Sequence, residues 1–382
     1  MSVPVGYLAT VALVAWCTGF ALAAPSRPRV LAVVAFWSGL LLNEQPFLAL
    51  VWLSAATALV FAQGDVASPA AWAAVALAAA TSVGLVLLAR RGLRARPVLD
   101  RALAEGFGAP VRTPAPRRRD LLRTLLVPLP VRPRGVERIA DIPYGDAGRR
   151  HLLDVYRHRS RPGGRPALVY LHGGGYTGGG KDREARALLH RFAARGWVCV
   201  SANDRLRPGA GLAEHLADAR QVVAWVREHG AVHGADGDTV VVAGSSAGAH
   251  LAALLALAAE EPAHRAAAAD TGPPVAAAVC LYGYFGAYYG MSGAETSPTA
   301  RVHAGAPPFL VVHGDHDTLV PAADARRFVS ALRQVSAAPV CHAELPGAQH
   351  SFDVLRSVRF DAVVDAVEVF AARVAETDGG GR

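Results

Sequence analysis

Lysine is almost absent from this chain: Lys181 is the only one among its 39 Lys and Arg residues. Ala, Arg, Gly, Pro and Val dominate, a bias of the kind high-G+C coding produces, so single arginines and alanines carry less meaning than usual. Cysteine is scarce too. Cys17, Cys199, Cys280 and Cys341 are far apart, three in apparent buried strands and one in a long apolar run. That pattern offers neither a disulfide framework nor metal-ligand spacing. A phosphate-binding loop is excluded because Lys181 is followed by Asp182, without the terminal Gly-Lys-Ser/Thr. No internal repeat is visible. Charge is missing from residues 1–89, which hold only Arg27, Arg29, Glu44 and Asp65. The formal net charge of +8 therefore sits in residues 90–134, where twelve arginines face Asp100, Glu105 and Asp120. Nothing there interleaves aromatics with the arginines or forms a nucleic-acid-binding motif, so nucleic acid is not an expected partner.

Three apolar stretches are present. Residues 5–24 carry no charge and are long enough to span a bilayer at about 20 residues. Residues 30–62 are apolar apart from Asn43-Glu44-Gln45-Pro46, and read as one kinked span or two short ones. Residues 69–89 form the third. Arginine tends to stay cytoplasmic at membrane ends. Arg27 and Arg29 precede the second stretch, and Arg90, Arg91, Arg94 and Arg96 follow the third. Three spans place both clusters in the cytoplasm and four would separate them, which favours three, with the N-terminus outside and the large domain inside. A secretory signal ending at Ala21-Leu22-Ala23 is the rival, but it lacks a basic leading segment. Residues 90–134 contain seven prolines and cannot be one long helix. They read as a juxtamembrane linker, its arginines against anionic lipid headgroups or simply solvated.

From residue 135 to 382 strand and helix patterns alternate, as a mostly parallel sheet with crossover helices requires. Strands are predicted at 137–142, 152–156, 167–171, 198–202, 239–243, 276–281, 309–313 and 340–344, and helices at 183–195, 212–229, 247–261, 322–336 and 352–375. Gly244-Ser245-Ser246-Ala247-Gly248 lies between a strand and a helix. G-x-S-x-G in that setting forces a sharp turn that exposes Ser246 in a strained position. His172-Gly173-Gly174-Gly175-Tyr176 follows another strand. Its glycines let successive N–H groups point into one pocket, where a single donor to an oxyanion contributes about 3 kcal/mol to the barrier. His172 itself reads as a tie for that loop. At the end of the strand 309–313 come Asp315 and Asp317, carboxylates able to hold an imidazole in one tautomer. His350 lies in the loop after the last strand. His313, His316 and His342 compete with it, His313 as a packed strand residue. Ser245, one position off the turn, reads as a structural hydroxyl.

In residues and in order, segments 172–176, 244–248, 313–321 and 349–352 resemble the hormone-sensitive-lipase-like carboxylesterases of the α/β-hydrolase superfamily. The N-terminal spans resemble those of a membrane-anchored bacterial subgroup. The resemblance covers about residues 135–375. It implies an α/β-hydrolase fold with a mostly parallel eight-stranded sheet. It also implies ester hydrolysis by a triad of Ser246, Asp317 and His350, with Gly174, Gly175 and Ala247 supplying oxyanion N–H groups. Asp317 is favoured over Asp315 by its distance from Val320-Pro321. Asp204 departs from the family, which usually has tyrosine there. This chemistry needs no metal or organic cofactor.

The segment between 281 and 307 is aromatic, and with Tyr176 its Tyr284 and Phe285 are expected to contact substrate, although about half of its aromatics are expected to pack inward. Its shortness points to small or medium acyl esters, and the membrane region to lipid esters. An amidase such as an arylformamidase, a transacylase, and a catalytically silent membrane module remain as alternatives.

Overall fold

The structure is a computed structural model that describes residues 5–116, 118–160, 163–258 and 274–379. Among these, eight strands form one sheet: β1 (Val136–Pro143), β2 (Leu152–His158), β3 (Arg165–Leu171), β4 (Val198–Ala202), β5 (Ala235–Ser245), β6 (Ala277–Leu281), β7 (Phe309–Gly314) and β8 (Val340–Leu345). Their order is β1-β2-β4-β3-β5-β6-β7-β8. Strand β2 runs antiparallel to β1 and β4, and all pairings from β4 to β8 are parallel. The helices are α1 (Val5–Ala23), α2 (Arg29–Glu44), α3 (Pro46–Ala62), α4 (Pro69–Leu93), α5 (Ala95–Phe107), α6 (Arg118–Leu126), α7 (Arg186–Ala194), α8 (Leu212–His229), α9 (Ala247–Leu257), α10 (Ala322–Val335) and α11 (Val358–Gly379). The tail of the helix predicted over 247–261 falls partly outside the described residues.

The run Val240-Val241-Val242-Ala243 is apolar throughout because both faces of β5 are covered. Val240 and Val242 join a core with α8, α9 and α10, while Val241 and Ala243 join a second core with α5, α7 and α11. Alternation along a strand thus feeds two layers of helices, and the carboxyl ends of β5, β7 and β8 meet on one rim.

Where proline density predicts a linker, the structure has α5. Its Ala95, Leu99, Ala102 and Leu103 are buried in the second core beside Cys341 and Phe370. The i, i+4, i+7, i+8 spacing is that of an apolar helix face. Pro97 falls in the first turn, where a missing N–H costs nothing, and Gly108 caps the helix at φ +62°. Gly106 packs so close to β8 that a Cβ there would sit 2.3 Å from Cys341 Sγ. The segment's arginines reach the body: Arg96 Nη2 lies 2.5 Å from Asp365 Oδ2.

Helices α1 and α4 are long and apolar enough to cross a membrane, and α2 and α3 pass the same test only together, bent by 84°. Pro46 starts α3 at that bend. The bend is pinned to the hydrolase body. Glu44 and Arg359 form an ion pair with both side chains 1% exposed. Ser357 Oγ donates to Glu44 Oε2 at 2.6 Å, Arg359 Nη1 to Asn43 O at 3.1 Å, and Gln45 Nε2 to Arg356 O. A buried pair with added hydrogen bonds is specific, since losing one member costs about 3–5 kcal/mol. The other end of α2 also meets the body, where Thr318 Oγ1 donates to Ala32 O at 2.9 Å. Both ends of α2 therefore lie on the hydrolase side.

Candidate active site

Strand β5 ends at Ser245, and the next residue, Ser246, adopts φ +51° and ψ −117° before α9 begins. A non-glycine residue rarely adopts that conformation, and it persists because the turn around it is over-determined. A Cβ on Gly244 would lie 2.3 Å from Gly248 O, and one on Gly248 would lie 2.1 Å from Leu171 O. Both flanking glycines are thus sterically required. Ser246 N donates to Leu281 O at 2.9 Å, tying the turn to β6.

His350 comes from the loop between β8 and α11. Its Nε2 lies 2.9 Å from Ser246 Oγ, and its Nδ1 lies 2.6 Å from Asp317 Oδ2. The other carboxylate oxygen, Oδ1, accepts from Leu319 N at 2.9 Å and Val320 N at 2.8 Å. Burial opposes ionisation of Asp317, yet His350 and His313 beside it hold its carboxyl well below the usual range. Asp315 is turned away and accepts from Gly347 N at 2.6 Å. His313 is buried, with Nε2 donating to Val320 O at 3.0 Å. His342 lies on β8 near Glu344, and His316 lines the cavity mouth.

The loop after β3 folds back toward Ser246. Gly174 has φ +115°, and a Cβ on it would meet Gly178 O at 2.3 Å. Gly174 and Gly175 line one cavity with Ser246 and His350. Ala247 is the first residue of α9, so its amide has no carbonyl one turn back to bond. His172 stands behind the loop, its Nε2 2.9 Å from Asp204 Oδ1. Asp204 Oδ2 lies 3.3 Å from His215 Nδ1. Despite burial, these two imidazoles hold Asp204 down to about 2, while Asp204 in turn raises His172 against its burial. Asp204 thus bridges the glycine loop and α8.

A second buried network lies beneath; Ser245 serves in it as the structural hydroxyl expected, while Glu184, Tyr170 and Asp353 gave no signal in the sequence. Glu184 Oε2 accepts from Gly173 N and from Ser245 Oγ, each at 2.6 Å. Tyr170 OH lies 2.7 Å from Ser245 Oγ and donates to Asp353 Oδ2 at 3.1 Å. Tyr282 OH donates to Asp353 Oδ1. Burial, and then the nearby Glu184, push the Asp353 carboxyl up to about 8. An unfolded aspartate titrates near 4, so the folded state holds a proton that the unfolded chain releases. Stability from this site is complete below about pH 4 and is lost as pH rises through about 8. Asp353→Asn, which mimics the protonated acid, is expected to gain melting temperature relative to the parent between pH 5 and 9. Parallel curves from thermal melts at those pH values would refute this.

Of the residues expected to touch substrate, Phe285 does not reach the cavity. It is fully buried and stacks on Phe328 at 4.3 Å, because its side chain faces the sheet core. Tyr176 is also buried, with its OH 2.8 Å from His250 Nδ1 and its ring 4.6 Å from that of His215. Tyr284 stacks on Tyr289 at 5.7 Å. Tyr289 lines the cavity, so Tyr176 and Tyr284 stand behind it. Lys181 is structural, held by Asp154 at 2.5 Å and Asp141 at 2.8 Å. Among the described residues no cluster of His, Cys, Asp and Glu is placed to hold a metal.

A mostly parallel eight-stranded sheet with a strained serine turn at its central carboxyl edge defines an α/β-hydrolase. Comparison with known proteins narrows the class. The family described as BD-FAE matches residues 153–285. Esterase LipQ of Mycobacterium tuberculosis is 37% identical over 72% of this chain and 74% of its own length. The probable carboxylic ester hydrolase LipM of the same organism is 33% identical over 99% of this chain and 95% of its own, N-terminal helices included. Among solved structures, esterase 2 of Thermogutta terrifontis superposes with a TM-score of 0.52 at 25% identity, covering 63% of this chain and 95% of that one. The chain belongs to the hormone-sensitive-lipase-like carboxylesterases of the α/β-hydrolase superfamily. It is a carboxylic ester hydrolase.

Proposed function

We propose that this esterase works through an acyl-enzyme on Ser246 while anchored in a membrane by three helices. The unbroken line Ser246 Oγ–His350 Nε2, His350 Nδ1–Asp317 Oδ2 carries the reading. Ser246 Oγ attacks the ester carbonyl as His350 Nε2 takes its proton, and Asp317 stabilises the imidazolium. The N–H groups of Gly174, Gly175 and Ala247 receive the oxyanion. His350 then protonates the departing alcohol, deprotonates a water, and returns that proton to Ser246 as the acid leaves. The Thermogutta esterase, whose reported states include one phosphoramylated by tabun and one with propionate bound, makes organophosphates and short acids reasonable probes. The purified full chain is expected to hydrolyse p-nitrophenyl esters and to turn over arylformamides at least about 100-fold more slowly. Comparable rates on both would overturn the esterase preference.

For the membrane, α1, α3 and α4 are read as the spans. Their near ends gather beside the hydrolase: Arg91 Nη1 at the end of α4 donates to Leu22 O at the end of α1, 3.4 Å away, a Cβ on Gly347 would lie 2.5 Å from Arg91 Cδ, and α3 starts at the bend held by Arg359. Helix α3, about 25 Å long at 1.5 Å per residue, is short for a ~30 Å core, a mismatch of modest cost. Arg27, Arg29, Arg90, Arg91 and Arg94 then all fall on the hydrolase side, and the opposite loop 63–68 carries only Asp65. By the positive-inside rule the hydrolase faces the cytoplasm. A reporter fused at the C-terminus is expected to be active in the cytoplasm, and periplasmic activity would contradict this orientation.

A further inference from the structure

A hydrolase body alone would leave this active site unwalled on one side, because N-terminal helix α2 closes it. The cavity over Ser246 and His350 measures about 1220 Å³ and is lined in part by Ala24, Arg27, Arg29, Ala32 and Phe36. The Phe36 ring stands 6.2 Å from the His350 ring, edge-on. Two anchors fix α2 there, the Thr318–Ala32 hydrogen bond at one end and the buried Glu44–Arg359 pair at the other. The helix has two faces. Ala32 and Phe36 face the cavity and Gly39 packs on Ala21 of α1, whereas Val30 (73% exposed), Val33, Trp37 (70%) and Leu41 point outward. That outward stripe continues the apolar exteriors of α1, α3 and α4, which include Trp16, Val51, Trp52 and Val83. An apolar helix with both ends on the hydrolase side, beside three helices that run away from it, lies in the plane of a membrane interface. The nucleophile is therefore separated from lipid by the thickness of one helix.

We infer that α2 is the substrate-binding wall of the site and that the substrate is a long-chain lipid ester entering from the bilayer. The inference rests on the serine-esterase reading and the three-span topology above. The cavity is larger than the 300–1,000 Å³ typical of small-molecule pockets. Its lining is amphiphilic. Ala32, Phe36, Leu319 and Val320 offer an apolar trough for an acyl chain, while Arg27 and Arg29 are exposed at the mouth and form no ion pair among the described residues. Arginines there meet phosphate-bearing headgroups at the membrane surface. The aromatic segment between β6 and β7 contributes Tyr289 to the same cavity but no covering helix comparable to α2.

The test uses the full chain reconstituted in phosphatidylcholine vesicles holding dioleoylglycerol, with p-nitrophenyl butyrate as the soluble ester. Adding phosphatidylcholine at constant bulk dioleoylglycerol is expected to lower the rate in proportion to its mole fraction in the bilayer. A rate that ignores this dilution would overturn bilayer entry. Phe36→Ala is expected to lower the ratio of kcat/KM for the long-chain over the short-chain ester at least about tenfold. Phe36→Leu, which keeps a wall of similar depth, is expected to restore most of that ratio. Reaction of Ser246 with a fluorophosphonate in the same vesicles reports an intact site. Normal labelling of both variants with an unchanged ratio would refute the role of α2 alone. An unlabelled serine in the parent chain would instead refute the serine-esterase reading.

Discussion

Ser246→Ala is expected to lower kcat toward esters by about 10⁴–10⁶-fold, since removing the nucleophile of a serine triad removes the chemistry that the triad performs as a unit. The residual rate reflects the glycine-loop donors and binding alone. Folding is expected to survive. Among the described residues the hydroxyl bonds only His350, and the positive φ is set by backbone contacts that alanine shares, among them Ser246 N to Leu281 O. Melting temperature within a few degrees of the parent, with hydrolysis lost, is the expected pair of results. A variant that folds and retains more than about a hundredth of the activity would point to another nucleophile.

Asp317→Asn is expected to cost about 10⁴-fold in kcat with little change in KM, the magnitude that follows when the triad acid loses its charge. The geometry gives the reason. Asp317 Oδ1 accepts from Leu319 N and Val320 N, which fixes the amide oxygen of an asparagine on that side. The amide NH₂ then faces His350 Nδ1 and forces the imidazole to carry its proton on Nε2. In that tautomer His350 presents no lone pair to Ser246. Asp315→Asn is the comparison: its carboxylate serves Gly347 N, so that variant is expected to keep more than about a tenth of the rate. Equal losses in both variants would remove Asp317 from its role.

What could be read in advance was local. The strand-turn-helix around Ser246, the glycine run after β3 and the acid at the end of β7 are contiguous patterns whose residue types are sterically dictated, as Gly244, Gly248 and Gly174 show. The unbroken apolar run of β5 announced burial on both faces. What could not be read joins distant residues. Glu184 serves Gly173 and Ser245, Asp353 gathers Tyr170 and Tyr282, and Glu44 finds Arg359, and none of these pairings has a spacing that could be recognised. Helix α5 was legible in principle, from its apolar spacing and its capping Gly108, but arginine and proline density masked it. Phe285 and Tyr289 are four residues apart in one aromatic segment, and only the fold turns one into the core and the other toward the cavity. The role of α2 was hidden for a different reason. Its composition is that of a span, and its placement depends on where both its ends are held.

The most direct test of the account is to react the full chain with a fluorophosphonate and map the adduct by peptide mass spectrometry. The expected result is one adduct per chain, on Ser246, with ester hydrolysis falling in step with its formation. Hydrolysis that persists with Ser246 fully modified, or an inactivating adduct on any other residue, would contradict it.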